Sequence, residues 1–277
     1  MNRAVTIIRR ATLNGVAAFG LAMIAETATA GSATALPLGH CAPDAVPTGS
    51  VCLDRYEASV WRVPNPSTTN AGLVTKIRLG RASKTDLAAG GATQLGIAGD
   101  DYAPCTRNGQ NCANDSYAVS LPAVTPSAFA TWFQAQEACA NSGKRLPTNA
   151  EWQVGANGTP DPGPDNGTTD CTTSENSDGV SLTGARSGCV SARGVFDMVG
   201  NLGEWVADWV PASTFCPGWA SFSNDQMCFA GAATDRNSPG ALIRGSWFFA
   251  GSDAGPFAVT DFPPFRSTSF VGFRCAR

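Results

Sequence analysis

Gly194-Val195-Phe196-Asp197-Met198-Val199-Gly200-Asn201-Leu202-Gly203-Glu204-Trp205 is the stretch on which the reading of this chain turns. Asp197 and Glu204 stand seven residues apart, with Gly200 and Gly203 between them. Glycine lets the backbone fold back on itself. Two carboxylates on such a turn can wrap one hard, oxygen-seeking ion. The plainer alternative is a glycine-containing turn with two solvated acids. Upstream, Thr148 is placed to N-cap a helix over residues 149–155, and Glu151 three positions on completes a capping box. Before it, residues 127–142 read as a helix opened by Thr125-Pro126-Ser127. Phe129, Trp132 and Phe133 lie near helical spacing there, and Gly143 is the stop. Strand-like runs are short: residues 51–58, 243–249 and 271–276. Between them lies Asn/Asp/Gly/Ser-rich chain, longest over residues 157–188, of a kind that needs disulfides or ions to become ordered. Thirty glycines and eighteen prolines among 277 residues break up long helices, and no repeat or heptad pattern is visible. The pattern predicts an α+β fold with few helices and much irregular chain.

The first thirty residues read as a signal peptide. Arg3, Arg9 and Arg10 give a basic start, an apolar run follows, and Ala28-Thr29-Ala30 has the small-x-small form of a cleavage site. The apolar run of about 13 residues is short of the roughly 20 needed to cross a bilayer. The expected organisation is a signal peptide over residues 1–30, a lead-in over 31–49 and one domain over 50–277, exported to the periplasm or outside the cell. Without residues 1–30, 16 basic side chains face 21 acidic ones. That balance argues against nucleic acid and anionic membrane surfaces as partners. All ten cysteines lie beyond residue 30, an even number that reads as disulfides in an exported protein. Eight fall into close neighbours: Cys41 with Cys52, Cys105 with Cys112, Cys171 with Cys189, and Cys216 with Cys228. Cys139 and Cys275 are left, and closing so long a loop is worth roughly 4–5 kcal/mol in the chain-entropy model. Zinc is disfavoured, because there is no CxxC and His40 is the only histidine.

Four segments, taken in order, carry a resemblance. They are Asp54-Arg55-Tyr56-Glu57-Ala58; Gly143-Lys144-Arg145-Leu146-Pro147-Thr148-Asn149-Ala150-Glu151-Trp152; the stretch from Gly194 to Trp205; and Arg244-Gly245-Ser246-Trp247 with Gly272-Phe273-Arg274-Cys275-Ala276. Together they resemble the formylglycine-generating-enzyme, or sulfatase-modifying-factor, family. The resemblance implies a variant of the C-type lectin fold stabilised by calcium and disulfides. It also implies a bridge between Cys139 and Cys275. By position it implies one calcium ion held by the Asp197 side chain, the Gly200 and Leu202 carbonyls and the Glu204 side chain. A second, less well aligned ion would fall near Asp170, Cys171, Asp178 and Val180.

The same resemblance exposes what is missing. Oxidising members hold copper with two cysteines after their "GGSW", since thiolates suit soft cuprous copper. Those positions here are Phe249 and Ala254, and Gly203 stands where a Trp is usual. Iron chemistry on this scaffold needs histidines, which His40 alone does not supply. Copper and iron are therefore not expected. The reading is a non-catalytic module that binds a peptide, glycan or protein partner. Ser246, Trp247 and Trp205 are its candidate ligand groove. The alternative is an enzyme using a non-standard centre. Trp205, Trp209, Trp219 and Trp247 are candidates for an aromatic shelf or, more plainly, for the core.

Overall fold

A computed structural model describes residues 41–161, 165–174, 179–210 and 240–277. The expected signal peptide, most of the lead-in, Asp178, Trp219 and the Cys216 and Cys228 pair lie outside these residues. The architecture is α+β, with three small sheets and four short α-helices among the described residues. Strands β1 (Ala45–Thr48) and β2 (Val51–Asp54) form a hairpin whose two-residue turn places Gly49 at φ 66°, a conformation glycine adopts without strain. β3 (Ala58–Arg62) is the middle strand of a second sheet. It is flanked by β4 (Thr93–Leu95) and β5 (Ser116–Ser120), both antiparallel to it. The third sheet has the order β8-β7-β6-β9, from β6 (Gly203–Val210), β7 (Gly240–Arg244), β8 (Val259–Phe262) and β9 (Val271–Phe273). Among the described strands of this sheet the β6–β9 pairing is parallel and the others are antiparallel.

Alternation along the third sheet sorts the core. Trp205, Ala241, Ile243, Val271 and Phe273 pack with α3 (Trp132–Asn141) and with Ala58, Val60 and Ala118 of the second sheet. Val206, Leu242 and Ala276 point the other way, to Trp152 and Ala156 of α4 (Asn149–Ala156) and to Leu53. The opposite face of the second sheet buries Trp61, Tyr117 and Val119 under α1 (Ala71–Arg78) and α2 (Lys84–Ala89). Disulfides join Cys41–Cys52, Cys105–Cys112, Cys139–Cys275 and Cys171–Cys189. The Cys139–Cys275 bridge fastens α3 to the chain just beyond β9. No helix among the described residues is long and apolar enough to cross a membrane.

Several expectations need correction. The helix over 127–142 starts at Trp132. Thr131 is its N-cap, with Gln134 closing the capping box. Residues 127–129 instead donate their backbone N–H groups to Ala58, Gly96 and Thr268, and Phe129 is left-handed at φ 57°. The run 51–58 is two strands, because Arg55-Tyr56-Glu57 leaves one sheet before β3 enters another. The run 243–249 stops as a strand at Arg244, where Gly245 (φ 79°) and Ser246 (φ 63°) turn the chain away. The helix at 149 begins as expected: Thr148 caps it and Glu151 closes the box.

Candidate functional site

The loop between Phe196 and Glu204 is held from beneath by buried charge. Glu204 points to the α4 side of its sheet. Both of its oxygens accept from the Arg274 guanidinium, Nε lying 2.9 and 2.7 Å away, and Oε2 also accepts from Trp152 Nε1 at 2.7 Å. The Arg274–Glu204 pair is essentially sealed from solvent. Arg274 also donates to the Phe196 and Asp54 carbonyls. Just before β3, Glu57 accepts from the Leu202 N–H (3.0 Å) and from the Asn201 side-chain amide, so it fixes the loop's far end. Asp197, left-handed at φ 59°, accepts from the Gly184 N–H at 2.7 Å. Three buried carboxylates thus face the Arg274 guanidinium, with Arg186 acting more weakly on Asp197. Burial pushes the Asp197 carboxyl up to about 6, against the Gly184 N–H and Arg274. Burial first, and then the charges of Asp197 and Glu204, push Glu57 well above the usual carboxylate range. The enclosure is short of positive charge.

That shortage bears on the calcium set. Asp197 and Glu204 are both buried, on the same loop as Gly200 and Leu202. The donors are all oxygen, as calcium requires, and the excess of negative charge suits a divalent cation. Glu204 would have to share its oxygens between such an ion and Arg274. Among the described residues no group of three or more His, Cys, Asp or Glu side chains is arranged around a metal position. An ion in this loop would therefore take many of its donors from carbonyls. For the second expected site, Asp170 sits in a loop turned by Asn166, whose Oδ1 accepts from the N–H groups of residues 168 to 170. Its expected partner Asp178 lies outside the described residues.

The expected ligand groove separates into unlike parts. Trp205 is not at a surface: it is fully buried in the core and donates to the Ala130 carbonyl at 2.9 Å. Trp247 lies at a half-buried rim against Phe249, Phe262 and Phe270. The Ser246 hydroxyl is buried there without a hydrogen-bond partner. Phe249 packs on Trp247, Phe248 and Phe270. Ala254 is buried with Val199 and the Cys171–Cys189 bridge. Neither position carries a donor atom for a metal. A Cβ built on Gly203 would meet Ile243 Cγ2 at 2.8 Å, so a large side chain there needs the sheet to shift. Farther along, Trp132, Phe133 and Trp209 meet edge to face, with Trp209 40% exposed.

Sequence reasoning assigned no role to Glu57, Asn201, Arg274 or Trp152. For Arg274 the signal was present: it is a lone charge in the otherwise apolar run 271–276, and a charge that is buried needs a partner.

Comparison with known proteins accords with this organisation. Similar solved structures include PvdO from Pseudomonas aeruginosa, at 19% identity over 82% of this chain and 80% of that one, with a TM-score of 0.40. CarF matches at 16% identity over 55% of this chain and 67% of that one, TM-score 0.35. The P3c variant of Major Tropism Determinant matches at 20% identity over 62% of this chain, TM-score 0.39, and the match spans 47% of that protein's length. No curated protein matches the chain. The model of the sulfatase-modifying factor enzyme 1-like domain matches residues 100–277, well over half of the sequence, and the chain belongs to that family.

Proposed function

We propose that this chain is an exported, non-catalytic member of its family that binds a peptide, glycan or protein partner on a calcium-stabilised scaffold. One observation carries the reading. The two positions at which oxidising members hold copper are Phe249, set in an aromatic cluster, and Ala254, packed against a disulfide. His40 is the only histidine in the sequence, and among the described residues all eight cysteines are in disulfides, so none offers a free thiolate. What remains at that rim is an apolar aromatic surface around Trp247, which suits stacking and contact rather than proton or electron transfer. Calcium supplies the missing positive charge through Asp197, Glu204 and the Gly200 and Leu202 carbonyls. The signal-like N-terminus, the disulfides and the lack of a membrane-crossing helix among the described residues support export. Elemental analysis of the purified mature protein tests the reading. Calcium alone is expected, whereas stoichiometric copper or iron would overturn it in favour of an enzyme.

A further inference from the structure

A second buried charge cluster adjoins the loop described above, since Arg274 also donates to the Asp54 carbonyl. Lys144, in the chain between α3 and α4, has a side chain that is 0% exposed. Its Nζ is 2.6 Å from Asp44 Oδ2 and 2.7 Å from Asp54 Oδ1. The two aspartates flank the β1–β2 hairpin, and each is nearly as buried as the lysine. Asp54 Oδ2 also accepts from the Cys275 N–H at 3.3 Å, and Asp44 Oδ1 accepts from Arg277 at 2.9 Å. We propose that Lys144 and Asp54 become joined by an intramolecular amide bond, with Asp44 carrying the protons.

The geometry suits the reaction. A nitrogen in hydrogen-bond contact with one carboxyl oxygen lies roughly 3–3.5 Å from the carboxyl carbon, the range of a near-attack arrangement. Lys144 and Asp54 are almost fully buried, with side chains 0% and 1% exposed, which favours condensation over hydrolysis. The two carboxyls also sit in opposed environments, the usual mark of divided acid and base roles. Burial pushes Asp54 up to about 6 despite Lys144, so its acid form, whose hydroxyl can leave as water once protonated, is accessible. Burial acts on Asp44 as well, but Lys144 and Arg277 together outweigh it and hold Asp44 below the usual carboxylate range.

The step balances without any co-reactant. Asp44 accepts a proton from the Lys144 ammonium, and the freed nitrogen lone pair forms a C–N bond to Asp54 Cγ. Asp44 returns that proton to the departing Asp54 hydroxyl, so the C–O bond breaks and one water leaves. Asp44 then takes the second nitrogen proton. Nothing is oxidised or reduced. The product ties the end of β2 to a position 90 residues later, beside the contact between Arg145 and Ala276.

Mass spectrometry of the reduced and alkylated mature protein tests this. The expected result is an intact mass lower by one water, a branched peptide linking Asp54 to Lys144, and no tryptic cleavage after Lys144. Asp54→Ala and Asp44→Ala should each restore the full mass. A full mass in the parent protein, with cleavage after Lys144, would leave an ion triad only and overturn the proposal. So would a water deficit mapped to any other residue. A bond that persists in Asp44→Ala would overturn the role given to Asp44. If either variant fails to fold, the peptide map of the parent protein decides alone.

Discussion

The two faces of strands β6 and β7 are built from neighbouring residues and have diverged in opposite ways. Toward α4 they present Glu204 and Arg244. Glu204 is held by Arg274 and Trp152. Arg244 lies 4.5 Å above the Trp152 ring and donates to Asn149, Gln153 and the Pro256 and Ala258 carbonyls. Toward α3 the same strands present Trp205, Ala241 and Ile243, and the rim of that face carries Trp247, Phe249, Phe262 and Phe270. Buried charge tolerates little change, because losing one partner strands the other without water. Apolar contacts tolerate exchange as long as volume is kept. Glu204, Arg244 and Arg274 of the family's motifs thus lie on the charged face, whereas the proposed reading turns on Phe249, in the aromatic cluster, and Ala254, packed against the Cys171–Cys189 bridge.

The comparison is broken most severely at Arg274. Arg274→Met leaves Glu204 buried and unpaired, and we expect a loss of about 3–5 kcal/mol in denaturant unfolding. A loss under about 1 kcal/mol would mean that the charged face is not the rigid one. Calcium comes next. An ion bound only to the folded state at a hundredfold excess over Kd stabilises by about 2.7 kcal/mol, so chelation should lower Tm and Asp197→Ala should abolish that response. A Tm indifferent to both would remove the ion from this loop. The smallest effect concerns the N-terminus of α4. The hydrogen bond from Arg145, helped by the Thr148 N–H, pulls Glu151 from 4.5 down to about 2. A depressed carboxyl contributes stability that is present above the unfolded value and lost as pH falls through the folded one. Stability should therefore decline between about pH 4.5 and 2, and Glu151→Gln should flatten that part of the profile. The pair sits at the surface, with the Arg145 side chain 43% exposed, so its share is about 0.2–1 kcal/mol at neutral pH. An acid limb unchanged by the substitution would assign the loss to other groups.

The fold class was legible because four motifs stand in order and because local signals agree with them. The capping box at Thr148 and Glu151 is one such signal, complete within four residues. The start of α3 was misplaced because Ser127 has a tertiary role that its neighbours do not announce: its hydroxyl donates to the Leu95 carbonyl and accepts from the Val60 N–H. α1 and α2 went unread, although Ser83 and Asp86 form a capping box of their own. In the site, Asp197 and Glu204 were visible as spaced acids. Their counter-charge was not, since Arg274 is 70 residues from Glu204 and reaches it only through the parallel β6–β9 pairing. Trp205 and Trp247 look alike as tryptophans beside glycine-rich turns. Strand alternation turns Trp205 into the core, and the left-handed turn at Gly245 and Ser246 leaves Trp247 at the rim.

The central claim is that the family's scaffold persists here without its oxidative chemistry. Its most direct test is incubation of the purified mature protein with a CxPxR peptide, copper and reductant, followed by mass analysis of the peptide. With Phe249 and Ala254 at the metal positions, the peptide cysteine should remain unconverted, at the level of a protein-free control. Conversion of that cysteine to formylglycine by the unmodified protein would contradict the claim and place an oxygen-activating centre among residues assigned here to structure.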